Sequence, residues 1–397
     1  MMDSLDFTRD GLLASSMWLR VTSLTCVVGA LLALVSILLR MVSRGPSRVL
    51  STPEGVSLPV SDAGAPRTPV PARLLPAVLV VALVTGFTSI WNRYVEVNHF
   101  PSQTMSEVLV MASWFGLVSL FVLMMALGLN KMGQGWAVLG DALYVLVFLS
   151  VWGINAYSTT LSTAQRDLPP ALQSYWFPPH LTSLIFSYMT LAIAGLIALL
   201  YFCIRFWSGI FSGGRGKGSQ LLVLGLLTLL PFGHLITIPV LLVVGVVFVV
   251  LKLLGRLPSR EAVAGIESSM DAVSYRAFCV GIPFLTAGLF MGAFWAQEAW
   301  ANYWGWDSKE NSALITWLIY IVYVHLRMLG GYRGEKAMAV LMGGALSVFM
   351  TFQIFGYLPD SQKSLHRYTD DGVVPREGMQ GAAVVEQQDS ARLDEPR

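Results

Sequence analysis

Apolar runs long enough to cross a bilayer recur along the chain, separated by polar connections. At about 20 residues per crossing, they fall near 20–42, 74–92, 105–127, 136–157, 181–204, 277–297, 312–328 and 337–356. This pattern predicts an all-α, polytopic membrane helix bundle with eight spanning helices. A further apolar region, Leu221 to Leu254, does not fit so simply. Its roughly 34 residues would make one helix about 50 Å long, against a hydrocarbon core of about 30 Å. Pro231, Gly233 and Pro239 interrupt it near the middle, so it is expected to fold back as a membrane hairpin with two short arms.

Composition narrows the class. Hydrophobic residues make up 55% of the chain and charged residues 13%, and mean hydropathy is +0.62, values that belong to a polytopic membrane protein. A net charge of +2 with no dense basic cluster excludes nucleic acid as a partner. Charge matters through its placement instead. Arg40, Arg44, Arg48, Arg67 and Arg73 flank the first long connection, Arg205, Arg215 and Lys217 precede the hairpin, and Lys252, Arg256 and Arg260 follow it. Arg327, Arg333 and Lys336 fill the last short loop. The excess of basic residues assigns these loops to the cytoplasm and leaves both termini outside. The first apolar run lacks a convincing cleavage site and reads as a retained span. Cys26, Cys203 and Cys279 are scattered, without metal-ligand spacing, and there is no C-x-x-C-H for covalent haem.

Three regions follow. Residues 1–104 hold the N-terminal spans and a Pro/Ser/Gly-rich cytoplasmic loop from Ser43 to Pro71, read as irregular. Residues 105–368 form the membrane core that carries the chemistry, and residues 369–397 are a polar tail read as disordered.

Within that core, W-A-Q-E-A-W-A-N-Y-W-G-W-D-S-K-E at 295–310 carries Trp295, Trp300, Trp304 and Trp306 among Glu298, Asp307, Lys309 and Glu310. Indoles favour places where one edge is apolar and the other wet. One or two would be an interfacial belt; four suggest a platform for a large apolar ligand at the outer membrane surface. Asp307 and Glu310 are either positioning groups or solvated surface acids.

The five histidines sharpen this picture. His180 opens a span after W-F-P-P, and His366 lies just past the last span, both on the side of the tryptophans. Two imidazoles either side of an aromatic bed suit a bis-histidine haem iron. His325 sits at the other end of the span leaving the platform, where an ionisable group in a membrane is a functional candidate. It is a helix length from the outer pair, so a haem there needs a second ligand, and no other inner-side histidine is present. His99 is either a third outer-site residue or an organiser of its loop with Pro101; His234 falls in the hairpin turn, where capping backbone carbonyls is its expected role.

The stretch from Trp295 through N-S-A-L-I-T-W-L-I-Y resembles the tryptophan-rich "WWD" signature of the CcsA/ResC haem-handling proteins of cytochrome c biogenesis, system II. N-H-F-P, L-P-P-A-L-Q-S-Y-W-F-P-P-H and Y-V-H-L-R are similar to that family's other blocks, together covering most of the chain from His99 to His366. The family commonly has proline where this chain has Ser308. The resemblance implies that His180 and His366 ligate an outer haem b, and that Trp295, Trp300, Trp304, Trp306 and Asp307 form its bed. It further implies that His325 ligates a haem within the membrane, with the other ligand from a CcsB/ResB-like partner. The implied activity is that of a cytochrome c synthase (haem lyase) subunit in the plasma (inner) membrane, or the thylakoid of a photosynthetic source. Such a subunit moves haem outward and presents it for attachment to C-x-x-C-H of an apocytochrome c. A haem exporter and a b-type electron-transfer subunit are the alternatives.

Overall fold

The structure, a computed structural model, describes residues 14–43, 49–51, 57–59, 68–126, 134–161, 170–212, 220, 223–225 and 233–351. Its helices are α1 (Ser15–Ser43), α2 (Val70–Val97), α3 (Met105–Phe121), α4 (Gln134–Ser158), α5 (Phe177–Ser212), α6 (Gly233–Leu253), α7 (Arg260–Trp300), α8 (Ser308–Met328) and α9 (Glu335–Phe349). A π-helical turn, Val122–Ala126, extends α3, and a 3₁₀ turn, Pro170–Gln173, precedes α5. Strands β1 (Val49–Ser51) and β2 (Ser57–Pro59) pair antiparallel, Leu50 opposite Leu58. The loop expected to be irregular thus carries a small hairpin.

A helix stands at each of the eight expected places, but six of those described are long and apolar enough to cross a membrane: α1, α2, α3 with its π-helical turn, α4, α5 and α7. α8 is diluted by hydroxyl and charged side chains, and α9 has 15 residues. In the expected hairpin, the second arm is a 21-residue helix beginning at Gly233, longer than the short arm predicted; the reversal before it lies outside the described residues. The largest departure is α7, which starts at Arg260, 17 residues before the predicted span. Ser259 caps it, its hydroxyl accepting from the N–H of Ala262 at 3.2 Å. Two of the acids in 260–276, Glu267 and Asp271, are paired within the bundle.

Leu31, Leu38, Val84, Leu242, Val246 and Phe290 are each more than half exposed, so the bundle presents an apolar exterior suited to lipid. Inside, α1 packs on α2 and α4, and α3 on α4 and α5; the most extensive interface joins α5 to α7. That interface rests on small residues. A Cβ on Gly281, Gly288 or Gly292 would lie within 3 Å of Leu191, Leu184 or His180 respectively, so the helices approach only because those side chains are absent. Ser183 and Ser187 donate to the carbonyls of Phe284 and Gly281, both at 2.9 Å, flanking the interior Pro283.

Three sets of ion pairs lie at the end of the bundle away from the tryptophans. Asp141 takes Arg40 at 2.7 Å and the Ser36 hydroxyl at 2.6 Å. Arg205 bridges Glu267 at 3.2 Å and Glu335 at 3.1 Å. Arg327 grips Asp271 with two bonds of 2.7 and 2.8 Å, and the Gly334 N–H also donates to Asp271. These contacts tie α1 to α4 and join α5, α7, α8 and α9.

Candidate functional site

The tryptophan-rich stretch is half helix and half loop. Trp295 and Trp300 lie in the last two turns of α7, which closes on Ala301 in the left-handed conformation (φ 55), its N–H bonded to the Gln297 carbonyl. The loop then runs to Asp307, and α8 begins at Ser308. Serine therefore occupies the first helical position, where a proline would also fit, having no N–H to satisfy.

Trp295 is a buried pillar, 3% exposed. Its indole N–H donates to the Ala171 carbonyl at 2.8 Å; Phe177 and Trp300 pack against its ring, each with centroids 5.0 Å away. Ser174 donates to Glu298 at 2.5 Å. The turn leading into α5 is thereby fixed to the end of α7, and His180, one turn into α5, comes to lie over Trp295. The two rings stack at 5.5 Å with 29° between their planes.

His180 Nδ1 lies 2.8 Å from the Gly288 carbonyl. A carbonyl only accepts, so a neutral imidazole there carries its proton on Nδ1 and its lone pair on Nε2. Orientation and tautomer are fixed by backbone, the arrangement used to hold a metal-binding imidazole. Gly292 makes the ring's place: a Cβ there would meet Cε1 at 2.6 Å and Nδ1 at 2.8 Å. Sequence reading missed these two glycines, although their G-x-x-x-G spacing is a recognised sign of close helix contact.

Trp304 and Trp306 form the loop's aromatic pair, centroids 6.2 Å apart and planes at 79°. Trp306 is 71% exposed, and the Trp304 indole N–H is buried with no partner among the described residues. Trp306 has φ 57, a region that disfavours a side chain. It is clamped from both sides: Glu310 accepts from the N–H of Gly305 (2.8 Å) and of Asp307 (3.2 Å), and the Asn311 amide donates to the Trp306 carbonyl at 2.9 Å. Glu310 is therefore a positioning group, and Asn311, which sequence reading passed over, is a second. The D-x-x-E spacing of a helix-capping box is the signal that reports the first. Burial pushes the Lys309 amine down to about 8, an effect partly offset by Asp307.

The other histidines separate. His325 is exposed on α8, with Nδ1 2.8 Å from the Ile321 carbonyl, again placing the lone pair on Nε2. His99 Nδ1 bonds the Phe100 carbonyl at 2.9 Å, and its buried Nε2 has no partner among the described residues. Phe100 packs against the cluster of Val108, Met111 and Ile185, so this loop lies against α5 just beyond His180. Glu107 caps α3 by accepting from Gln103 and Thr104, and also pairs with Arg93. His366 and the side chain of His234 lie outside the described residues. Among the described residues, no three His, Cys, Asp or Glu side chains come together to hold a free metal ion. A single imidazole beside broad aromatic surface is a donor that a macrocycle-bound iron could take.

A family model described as cytochrome C assembly protein matches residues 80–359. The chain belongs to this family. Curated relatives place it in the CcsA branch. It is 29% identical to the "Cytochrome c biogenesis protein CcsA" of Cyanophora paradoxa over 300 residues, 73% of this chain and 85% of the relative. Identity to the CcsA of Marchantia polymorpha is 30% over 284 residues, 70% of this chain and 81% of the relative. For the CcsA of Gloeobacter violaceus it is 28% over 319 residues, 72% and 84%. As a member of the cytochrome c assembly family with multiple apolar helices, this is a multi-pass membrane protein. The family match takes in His99, His180, His325 and all four tryptophans, and leaves out α1 and His366.

Proposed function

We propose that this protein is the haem-presenting membrane subunit of a cytochrome c synthase, moving haem b to the outer face and offering it to the C-x-x-C-H motif of an apocytochrome c. The observation that carries the reading is His180: an imidazole pinned through Nδ1 to the Gly288 carbonyl, over buried Trp295, within the tryptophan-rich end. It is the only histidine so placed among the described residues. His366 supplies the second outer ligand. Trp304 and the exposed Trp306 bear on the porphyrin, Trp295 and Trp300 back His180, and Asp307 starts the helix that anchors the loop. Haem brings the vinyl groups to which two cysteine thiols add. The chain's own residues hold the ring, keep His180 in one tautomer and direct its Nε2 lone pair to the iron.

His325 suits a second haem position shared with a CcsB/ResB-like subunit. Its exposure on α8 supports this reading, because a ligand from another chain must reach it across the bundle's outer surface. The outer, periplasmic side for the tryptophans rests on the distribution of Lys and Arg.

The test is purification with the partner followed by absorption spectra of His180→Ala, His366→Ala and His325→Ala. Loss of outer haem in the first two and of inner haem in the third is expected; unchanged spectra in all three would overturn the ligand assignments. Coexpression with an apocytochrome separates synthase from exporter, since an exporter binds haem yet yields no thioether-linked product.

A further inference from the structure

α8 reverses the distribution of an amphipathic helix on a water-soluble protein. Ile315, Leu318 and Val322 face outward and are about half exposed. Ser312, Thr316, Tyr320, Tyr323 and Arg327, spaced at three and four residues, form one continuous face on its other side. The first four of these are at most 2% exposed. A row of buried polar tips therefore runs the length of the helix, from the tryptophan-bearing loop to the ion pairs.

Near the loop the row is satisfied by protein. Ser312 donates to the Lys309 carbonyl at 2.9 Å, and the Thr316 hydroxyl shares bonds with Ser347 at 2.6 Å and Thr351 at 3.2 Å. At the far end Arg327 and Asp271 pair, within electrostatic reach of Tyr323. Between them the hydroxyls of Tyr320, Tyr323 and, from α7, Ser274 are buried without a partner among the described residues. Phe278 packs between the two tyrosines, with ring centroids 5.8 and 4.6 Å away. On α9, Gly344 opens the space for Tyr320: a Cβ there would come within 2.5 Å of its ring. Unsatisfied hydroxyls at membrane depth are costly, and internal water is the usual remedy where several polar groups converge. Water bridging these three would close the gap in the row.

We propose that internal water occupies the seam between α7, α8 and α9, held by Ser274, Tyr320 and Tyr323, and completes a proton path from the Asp271–Arg327 pair to the tryptophan-bearing end. The path moves no electrons and needs no reactant beyond water: each hydroxyl accepts a proton on one side and releases one on the other. It is distinct from any route for haem, because His325 lies on the opposite, exposed face of α8.

Two measurements on the full chain test it. Radiolytic footprinting in ¹⁸O-water, with the protein in nanodiscs, labels buried side chains only where water sits beside them. Tyr320 and Tyr323 are expected to be labelled several-fold faster than Phe148, which is fully buried on α4 away from the seam. In proteoliposomes carrying an internal pH dye, Tyr320→Phe/Tyr323→Phe should lower the proton flux several-fold, and Ser274→Ala should lower it too, while Tyr144→Phe, buried on α4 outside the seam, leaves it unchanged. Unlabelled tyrosines, or a flux that the seam variants leave at the native level, would overturn the proposal.

Discussion

Trp306 sets conformational strain against exposure in one residue. Its left-handed backbone costs an L residue roughly 1–2 kcal/mol, and its indole recovers little of that by burial, being 71% exposed. Trp306→Gly is therefore expected to leave the thermal midpoint unchanged or raise it, while haem retained on purification falls. A fall in both would show that the indole is part of the fold instead. Glu310→Ala removes the acceptor for two backbone N–H groups and should cost about 1–3 kcal/mol, read as a lower unfolding midpoint. Gly292→Val drives a side chain into His180; loss of outer haem with inner haem retained is the expected spectrum. Lys309 gives a pH signature. Its folded-state pKa, about 8, lies below the unfolded value near 10.4, so the unfolded chain binds more protons between those values. The penalty is full below pH 8 and fades as pH rises towards 10, and stability measured across that window should increase unless lysine is replaced by methionine. That His180 and the tryptophans share one end of the bundle was legible in the sequence. That Trp295 is a pillar while Trp306 is exposed was not, because it depends on where α7 stops, and Ala301 gives no warning of a helix end that glycine or asparagine would have given.

At the scale of helices, the apolar runs marked the places of eight helices, of which six are long and apolar enough to cross a membrane. Their ends were harder. The chain from Arg260 to Arg276 carries Glu261, Glu267 and Asp271 and reads as a loop, yet it is the first four turns of α7. Glu267 and Asp271 are matched by Arg205 and Arg327 from helices far away in sequence, and no local pattern reports such pairing. The Asp271–Arg327 pair makes the point measurable. Asp271→Ala strands a guanidinium between helices and should cost about 3–5 kcal/mol, whereas Asp271→Ala with Arg327→Met should recover much of that. Thermal unfolding in detergent compares the two. α8 was assigned a span on length although its inward face is hydroxyl-bearing, which is why its sequence is less apolar than those of its neighbours.

Across the whole molecule, one end gathers the tryptophans and His180 and the other the Asp141, Arg205 and Arg327 ion pairs, and the sidedness of the two ends is open to direct labelling. In a Cys279→Ala background, Tyr303→Cys and Tyr332→Cys, both exposed in the native chain, should react with an impermeant maleimide from opposite sides of the membrane, Tyr303→Cys from outside. Reaction from the same side would undo the topology. What joins the two ends is α7, 41 residues in one helix and so about 60 Å long. The α5 serines and the three glycines grip it from Gly281 to Gly292, leaving about 32 Å of rod on the ion-pair side and about 12 Å on the tryptophan side. Both arms are anchored as well, the long one at Glu267 and Asp271 and the short one at Trp295 and Glu298, so α7 is a strut that sets the spacing between the tryptophan-bearing end and the ion pairs.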